Sequence, residues 1–598
     1  MRRARHSLGA YGAVSAVVIA VLAACGDDRG GFDQKEEVFE PPPEAGTPEV
    51  ETCYRQCSLD GRSVIDSCTG GVVEACADDL ACGAAKCQEP CAAAAADRSS
   101  NGCEFYFTKP KTTFANVSCF ATFVVNTSNK PATIKLELAG KELDVSRALF
   151  RTVANEVELE PLSGPLAPGE SAILFVADWD PNVPRSFYEK GLHTSCPVQA
   201  TPAYEADFGL FEAGISDAFR LESDAPVGVT WLYPYGGADT MYTTATLVLP
   251  VSAWAKDHIV VNGWEAVSSN GRPVTQIFAS EDDTEVTIIG KKSVRNGVGF
   301  TGAAAGVPAK IALSKGQYVQ ITQMEELTGS LVFSNKPVVT VGGTECTYLP
   351  QLAEACDTLA QQIPAFEQWG SEYVGVGYRP RSVTTDEIVW YRMVGGRDGT
   401  ELEYDPAKPG GAPTKIDAGE LVLFRARANE PFVVRARDAE HPFYLAMHMT
   451  GGQGAPPEVP GYGGMGDPEF VNIVPAGQYM SSYSFYADGT YPEHSLVVVR
   501  KRTHGEFKDV WLECAGNLTD WIPIDDAGQY EYRRVDLSRA FGPGEAFGES
   551  ACIAGLQRMR SEGAFTATIW GWGPFASYAY PGGMANRKLV DTPLAPVN

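Results

Sequence analysis

The chain reads as all-β: tandem β-sandwich-like modules after a small disulfide-rich N-terminal segment, with a β-propeller-like arrangement as the alternative. Three observations predict this. Short β-branched and aromatic runs alternate with Gly, Pro, Asn and Asp turns along most of the 598 residues. Long helical periodicity is missing, and Leu352–Gln362 is the best short helix candidate. One pattern of strand, turn, Pro, strand, loop, Pro, aromatic, strand recurs about every 110 residues. A unit of that length buries its own core, so the repeat is one of whole modules.

The fullest copy is Gly329–Gly377. Two apolar runs, Leu331–Phe333 and Pro337–Val341, are split by the turn residues Ser334, Asn335 and Lys336. A polar excursion between Cys346 and Cys356 follows, then Pro364, Trp369 and a third run, Tyr373–Val376. Other copies are Ser223–Gly237 with Leu249–Val261, Asp438–Gly452 with Val474–Ala487, and a half-copy, Phe565–Gly583. Pro226, Pro337 and Pro442 recur at the common interval, as do Pro250, Pro364 and Pro475.

The blocks Ala218–Gly237, Ala245–Val261, Glu326–Cys346 and Cys356–Val374, in that order, resemble the N-terminal domain of the IgG Fc-binding protein family. Gly466–Arg502 and Phe565–Gly583 resemble the C-terminal half of its bacterial members. The resemblance implies a surface or secreted binding protein, and a cysteine pair at Cys346 and Cys356. It assigns no residue to Fc binding.

Taken in order, the chain opens on a targeting segment. Arg2, Arg3 and Arg5 precede the small and apolar run Ala10–Ala23, which ends at Leu22-Ala23-Ala24-Cys25. A basic start, a short apolar stretch and small residues describe an export signal. The cysteine after Leu-Ala-Ala resembles a bacterial lipobox, which makes Cys25 the lipid-attachment residue. Each buried CH₂ of such a lipid contributes about 0.8 kcal/mol of membrane affinity. The following stretch to Thr52 is acidic, Pro-rich and nearly free of aliphatics, so it reads as a disordered tether.

Eight cysteines lie between positions 53 and 103: Cys53, Cys57, Cys68, Cys76, Cys82, Cys87, Cys91 and Cys103. They fit either zinc or a disulfide knot, and export favours the knot. Ala92–Ala96 reads as a linker or short helix. Beyond Glu104 the chain turns β-rich. Cys119–Leu143 reads as two strands and Ser163–Asp178 as another, in an immunoglobulin-like pattern. Cys119 and Cys196 are the two cysteines of this part and make a plausible bridge. Isolation from other thiols pairs Cys514 with Cys552. Ten residues apart in an exported chain, Cys346 and Cys356 form a third bridge, pinning a loop without close equivalent in the other copies.

Candidate chemistry is sparse. Nucleophile-elbow, zinc-helix and phosphate-loop motifs are missing. No catalytic residue, cofactor or metal is therefore expected. Asp178, Asp180, Asn182 and Glu189 have calcium-loop spacing, but Val183 stands where Gly is needed, so an acidic surface turn is expected. His441 and His448 read as satisfied or exposed histidines. Trp570, Trp572, Phe575, Tyr578 and Tyr580 read as strand packing ahead of a sugar platform, and Arg500-Lys501-Arg502 as a solvated strand end. Gly451–Pro468 is a Gly/Pro-rich loop of a length that is often functional. A net charge of −27 argues against nucleic acid.

These readings divide the chain into a lipoprotein signal (1–24), a tether (25–52), a Cys-rich module (53–103), an immunoglobulin-like β-module (104–215), two β-modules similar to the family (216–345 and 346–465) and a C-terminal β-module (466–598). The expected protein is exported and lipid-anchored to a bacterial membrane, at the outer membrane or cell surface. It touches the membrane through the lipid alone and binds an extracellular glycoprotein or polysaccharide. The alternative is an extracellular polysaccharide hydrolase using loop carboxylates.

Overall fold

The computed structural model describes residues 53–594, except 59–60, 70, 113–117, 153–158, 185–192, 207, 267, 352–354, 385 and 456–458. The signal segment, Cys25, the tether and Glu189 lie outside the described residues. The chain divides into two compact units, 1–53 and 54–598, and the architecture below is that of the second. It is mostly β-strand. Among the described residues the α-helix Pro90–Asp97 is the only one, and no helix is long and apolar enough to cross a membrane. Five alanines favour that helix, Pro90 starts it, and Arg98 closes it in a left-handed conformation.

The larger strands fall into four sets with one plan. The first set is β1 (Phe120–Asn126), β2 (Ser171–Asp178), β3 (Phe219–Tyr233) and β4 (Thr244–Val248). The second is β5 (Pro273–Ala279), β6 (Gln317–Thr322), β7 (Leu331–Thr347) and β8 (Asp357–Ile363). The third is β9 (Ile388–Gly395), β10 (Leu421–Arg427), β11 (Phe443–Met449) and β12 (Glu469–Asn472). The fourth is β13 (Glu493–Lys501), β14 (Tyr530–Arg539), β15 (Gly555–Gly573) and β16 (Ala576–Pro581). Each set makes an antiparallel sheet whose spatial order is fourth, third, first, second.

A second sheet completes each set as a sandwich, and the third strand supplies it. The early half of β3 pairs with Asn101–Phe107 and Ile134–Leu138. The early half of β7 pairs with Ala255–Ile259 and Thr284–Ile289, and that of β15 with Met480–Ala487 and Val510–Leu512. In the third set a separate strand, Phe432–Ala436, does this work before Pro442 interrupts the chain. Ser334–Lys336, expected as a turn between two strands, lies inside the single strand β7. The chain bends there: it pairs with Thr284–Ile289 up to Ser334 and with β5 from Val338 onward, so one strand serves two sheets.

One polar device recurs where the second sheet begins. Tyr373 Oη donates to the Phe443 carbonyl (2.6 Å) and accepts from the Gly370 amide (3.1 Å). Tyr483 does the same with the Phe565 carbonyl (2.6 Å) and the Met480 amide (3.0 Å). In the second set His258 occupies this place, with Nε2 3.1 Å from both the Ala255 and Val338 carbonyls. Burial holds its imidazole neutral, with a pKa lowered to about 4.

The four sandwiches stand in a ring. The innermost strands β4, β8, β12 and β16 neighbour one another in a closed cycle. The ends of the ring meet where Ser99 bridges Ala585 and the Ser100 amide donates to the Met584 carbonyl (2.8 Å). The expected helix over Leu352–Gln362 is corrected: Asp357–Ile363 is the inner strand β8. Leu, Ala and Gln favour a helix locally, but the place on the axis decides the conformation. Gln361 Nε2 lies within 2.8–3.0 Å of the carbonyls of Ala245, Phe470 and Ala579, one in each other inner strand. An amide group with such partners offsets the cost of burying four strand edges.

Candidate functional site

Every inner strand is preceded by a connection from the third strand, and β4, β8 and β12 are each followed by a proline and a short turn. The connections therefore share one end of the ring and the turns share the other. The turn end repeats. Pro250, Ala365 and Pro475 each precede a short 3₁₀ turn, followed by Trp254, Trp369 and Tyr479. Gln368 Nε2 donates to the Ala253 carbonyl (2.6 Å), and Gln478 Nε2 donates to the Gln368 carbonyl (2.9 Å). The Arg587 amide donates to Gln478 Oε1 (3.0 Å). Each sandwich is thus tied to the next.

The connection end does not repeat. Its connections are 234–243, 348–356, 450–468 and the two residues Pro574 and Phe575. The loop between Cys346 and Cys356, read above as lacking an equivalent, occupies a place filled in every sandwich; only length and sequence differ. The sulfurs of Cys346 and Cys356 are bonded, with Cα atoms 5.3 Å apart, and the loop lies between β7 and β8. The connections hold one another. The Gly451 amide donates to the Leu349 carbonyl (2.7 Å), Gly466 to Gly573 (2.7 Å) and Phe575 to Gly464 (2.9 Å).

Arg381 fixes the longest connection at both ends, giving Nη1 hydrogen bonds to the Thr450 (2.8 Å) and Met465 (2.9 Å) carbonyls. It is fully buried against Glu387 and lies 4.2 Å from the Tyr462 ring centroid. The charge is matched by Glu387 and by oriented carbonyls, which is what a buried guanidinium requires. Gly466 has φ +75°, and a Cβ there would come 2.7 Å from Arg381 Nη1. Only glycine meets both demands. Arg381 carried no sequence signal, since its partners are 69 and 84 residues away.

Beneath these connections lies a polar layer on the axis. Asp357 accepts from the Thr243 amide (3.2 Å) and lies 3.3 Å from Thr243 Oγ1, which donates to the Ser577 carbonyl (2.7 Å). Ser577 Oγ accepts from the Asp467 amide (2.8 Å), and Glu469 Oε1 accepts from Thr244 Oγ1 (3.2 Å). Burial, then the neighbouring charges of Asp467 and Glu469, push the Asp357 carboxyl well above its usual range. Burial raises Glu469 in the same way and raises Asp467 to about 8, with Arg381 opposing. Three acids this close and this dry favour their neutral forms. They are closed off from solvent, and the face above them is made of the connections. That face exposes Met241 (52%) and Phe575 (43%).

The other sequence candidates scatter. Trp570, Trp572, Tyr578 and Tyr580 are buried in the core, and only Phe575 of that group reaches solvent. Asp178 and Asp180 cap nearby amides, of Trp179 and Cys196 and of Asn182 respectively. His441 Nδ1 lies 2.7 Å from Asp438, whereas His448 is buried between Trp264 and Phe470. Arg500 bonds Glu531 and stacks 4.0 Å from the Trp521 centroid, and Lys501 reaches Glu372. Cys119–Cys196 and Cys514–Cys552 are bonded, with Cα distances of 4.7 and 5.0 Å. Cys57–Cys82, Cys76–Cys87 and Cys91–Cys103 are bonded in the N-terminal knot, and Cys53 and Cys68 are also in disulfides. No thiolate of that knot is left to hold zinc.

A rigid all-β ring that gathers unlike loops at one end defines a scaffold for binding. A sequence model of the family described as IgGFc binding protein matches residues 244–571, more than half of the chain. The chain belongs to that family. The match opens at the first residue of β4 and closes inside β15, so it spans the second and third sandwiches and most of the fourth. No curated protein and no solved structure matches the chain.

Proposed function

We propose that this protein is an exported, lipid-anchored binding protein that presents the connection end of its ring to an extracellular glycoprotein or polysaccharide. One observation carries the reading: four connections of unequal length, three of them joined by shared hydrogen bonds, lie together above a repeated scaffold and expose Met241 and Phe575. Family membership supports a binding role, and the disulfides support an oxidising compartment. Cys25 is the anchor in this reading, and the acidic stretch after it is the tether.

The test is a screen of the purified chain against arrayed glycans and secreted glycoproteins, immunoglobulin among them, with polymer hydrolysis measured in parallel. A ligand whose binding falls at least tenfold in Phe575→Ser supports the reading. Hydrolysis abolished by replacing a single surface carboxylate overturns it. The anchor has its own test. Cys25→Ala moves the protein from the membrane to the soluble fraction, and equal partition of both forms in detergent defeats the lipid assignment.

A further inference from the structure

The second strand of each set is the outermost of its four, and three of these strands are covered. β2 carries Leu149–Thr152 and Tyr204–Glu205, β6 carries Gly214–Asp217, and β14 carries Ile522–Pro523 and Gly542–Pro543. β10 pairs with β9 alone, and among the described residues no strand lies on its other edge. The ring thus supplies its own control: one outer edge of four equivalents is bare.

A bare edge offers unpaired amides and carbonyls to any extended chain, and proteins blunt it with proline, lysine, bulges or shortness. The edge strand Pro308–Leu313 shows this, opening on Pro308 and turning out Lys310, which pairs with Glu285 at 2.9 Å. β10 has no proline, lysine, bulge or shortening, and the charges it carries are those of Arg425 and Arg427. It runs seven residues in unbroken register with β9.

A groove of about 680 Å³ runs beside it, its lining including Trp390, Leu423, Arg425, Gly410, Gly411 and Glu430. A Cβ at Gly410 would meet nothing within 4 Å, so that wall leaves open space. Leu423, Arg425 and Arg427 alternate along the strand and share one face. Leu423 is 37% exposed. The Arg425 guanidinium lies 5.1 Å from the Trp390 centroid, and among the described residues no carboxylate pairs with it. Arg427 pairs with Asp386 at 2.7 Å and lies 3.8 Å from Glu430.

We propose that β10 is a docking edge for an extended acidic segment of a partner protein, which adds to the sheet as a fifth strand. Its main chain takes the free edge, an apolar residue meets Leu423, and a carboxylate two positions away meets Arg425. Main-chain bonds give such strand addition its affinity and alternate side chains its specificity. The net charge of −27 does not oppose this, because screening within about 8 Å leaves the local arginines in control. A second copy is the poorer occupant. Antiparallel self-pairing about Phe424 sets Arg425 against Leu423 and Arg427 against Leu421, and no arginine meets a carboxylate.

The test uses the full chain and three capped peptides at physiological salt, read by fluorescence anisotropy. The first is Thr-Glu-Thr-Glu-Thr-Val-Thr, which places both glutamates and the valine on one face. The second has lysine for glutamate. The third has proline for the second threonine of the first. The expected result is binding of the first peptide, loss of at least tenfold with the third, and slowed amide exchange in residues 421–427. Arg425→Glu, exposed and tolerated by the fold, loses at least tenfold for the first peptide and gains the second. Leu423→Lys weakens the first without changing the melting temperature. The proposal is overturned by absence of binding, by equal binding of the first and third peptides, or by indifference to Arg425→Glu. It is also overturned if sedimentation finds a dimer that Arg425→Glu dissolves, which would give the edge to a second copy.

Discussion

The two ends of the inner strands are made by the same four strands and obey opposite rules. At the turn end, the same Pro-turn-aromatic pattern returns, and glutamine side chains pass from one sandwich to the next. At the connection end, lengths run from two residues to the long span 450–468, and contacts are particular: Arg381 here, a disulfide there. The repeated end closes the ring, and the varied end is free to change without opening it. That separation of scaffold from surface is the arrangement by which binding folds diversify.

The hardest test of this contrast is on the axis. Gln361→Leu keeps the volume and strips the donors from three buried carbonyls. The expected loss is about 2–5 kcal/mol, seen as a lower urea midpoint. An unchanged midpoint would mean that the ring is held by apolar packing alone.

The disulfide at the connection end comes next. Replacing Cys346 and Cys356 together by Ala removes a short closed loop, at a cost of about 2–3 kcal/mol by chain entropy. Lost ligand binding with little change in melting temperature marks a recognition loop, and the reverse marks a staple.

Proton linkage separates the axial acids from the buried histidines. The unfolded carboxyl of Asp467 titrates near 3.8 and the folded one at about 8. The folded state binds the proton more tightly between these values, so its stability is full at the acid end and is lost as pH rises towards 8. Burial lowers His258 to about 4 and His448 and His494 to about 3, from 6.5. Their stability is present above 6.5 and is lost as pH falls below it. Melting temperature against pH should therefore be a dome. Asp467→Asn flattens the alkaline limb by about 1–2 kcal/mol between pH 6 and 8, and an unaltered limb would remove Asp467 from this role.

The smallest effect on stability, and the sharpest on function, belongs to Phe575. Phe575→Ser changes an exposed ring on a two-residue turn, so stability stays within about 0.5 kcal/mol. A large fall in melting temperature would show that the connection end is part of the scaffold after all.

Several features were legible because they are local. β-branched runs between turn residues marked most strands, and the spacing of prolines marked the repeat. Isolation in sequence suggested the pairs Cys119–Cys196 and Cys514–Cys552, which the structure bonds. Two local rules pointed the wrong way. Leu352–Gln362 has a helix-forming composition, yet Asp357–Ile363 is strand because its neighbours on the axis supply better partners than a helix would. Ser334, Asn335 and Lys336 have turn chemistry, yet β7 carries them through a bend, paired up to Ser334 and again from Val338.

What the sequence by itself determined is the material of the protein: strands of a given length, a repeat of sandwiches, cysteines spaced for bridges, and an acidic surface. Tertiary structure alone decided that the sandwiches close into a ring, that Gln361 and three acids share its axis, that four distant connections share one face, and that β10 is left bare. The physical reason is range. Alternation, turn chemistry and helix propensity act over a few residues, whereas Gln361 meets Ala579 across 218 residues. Such a contact forms only when every intervening strand has found its place.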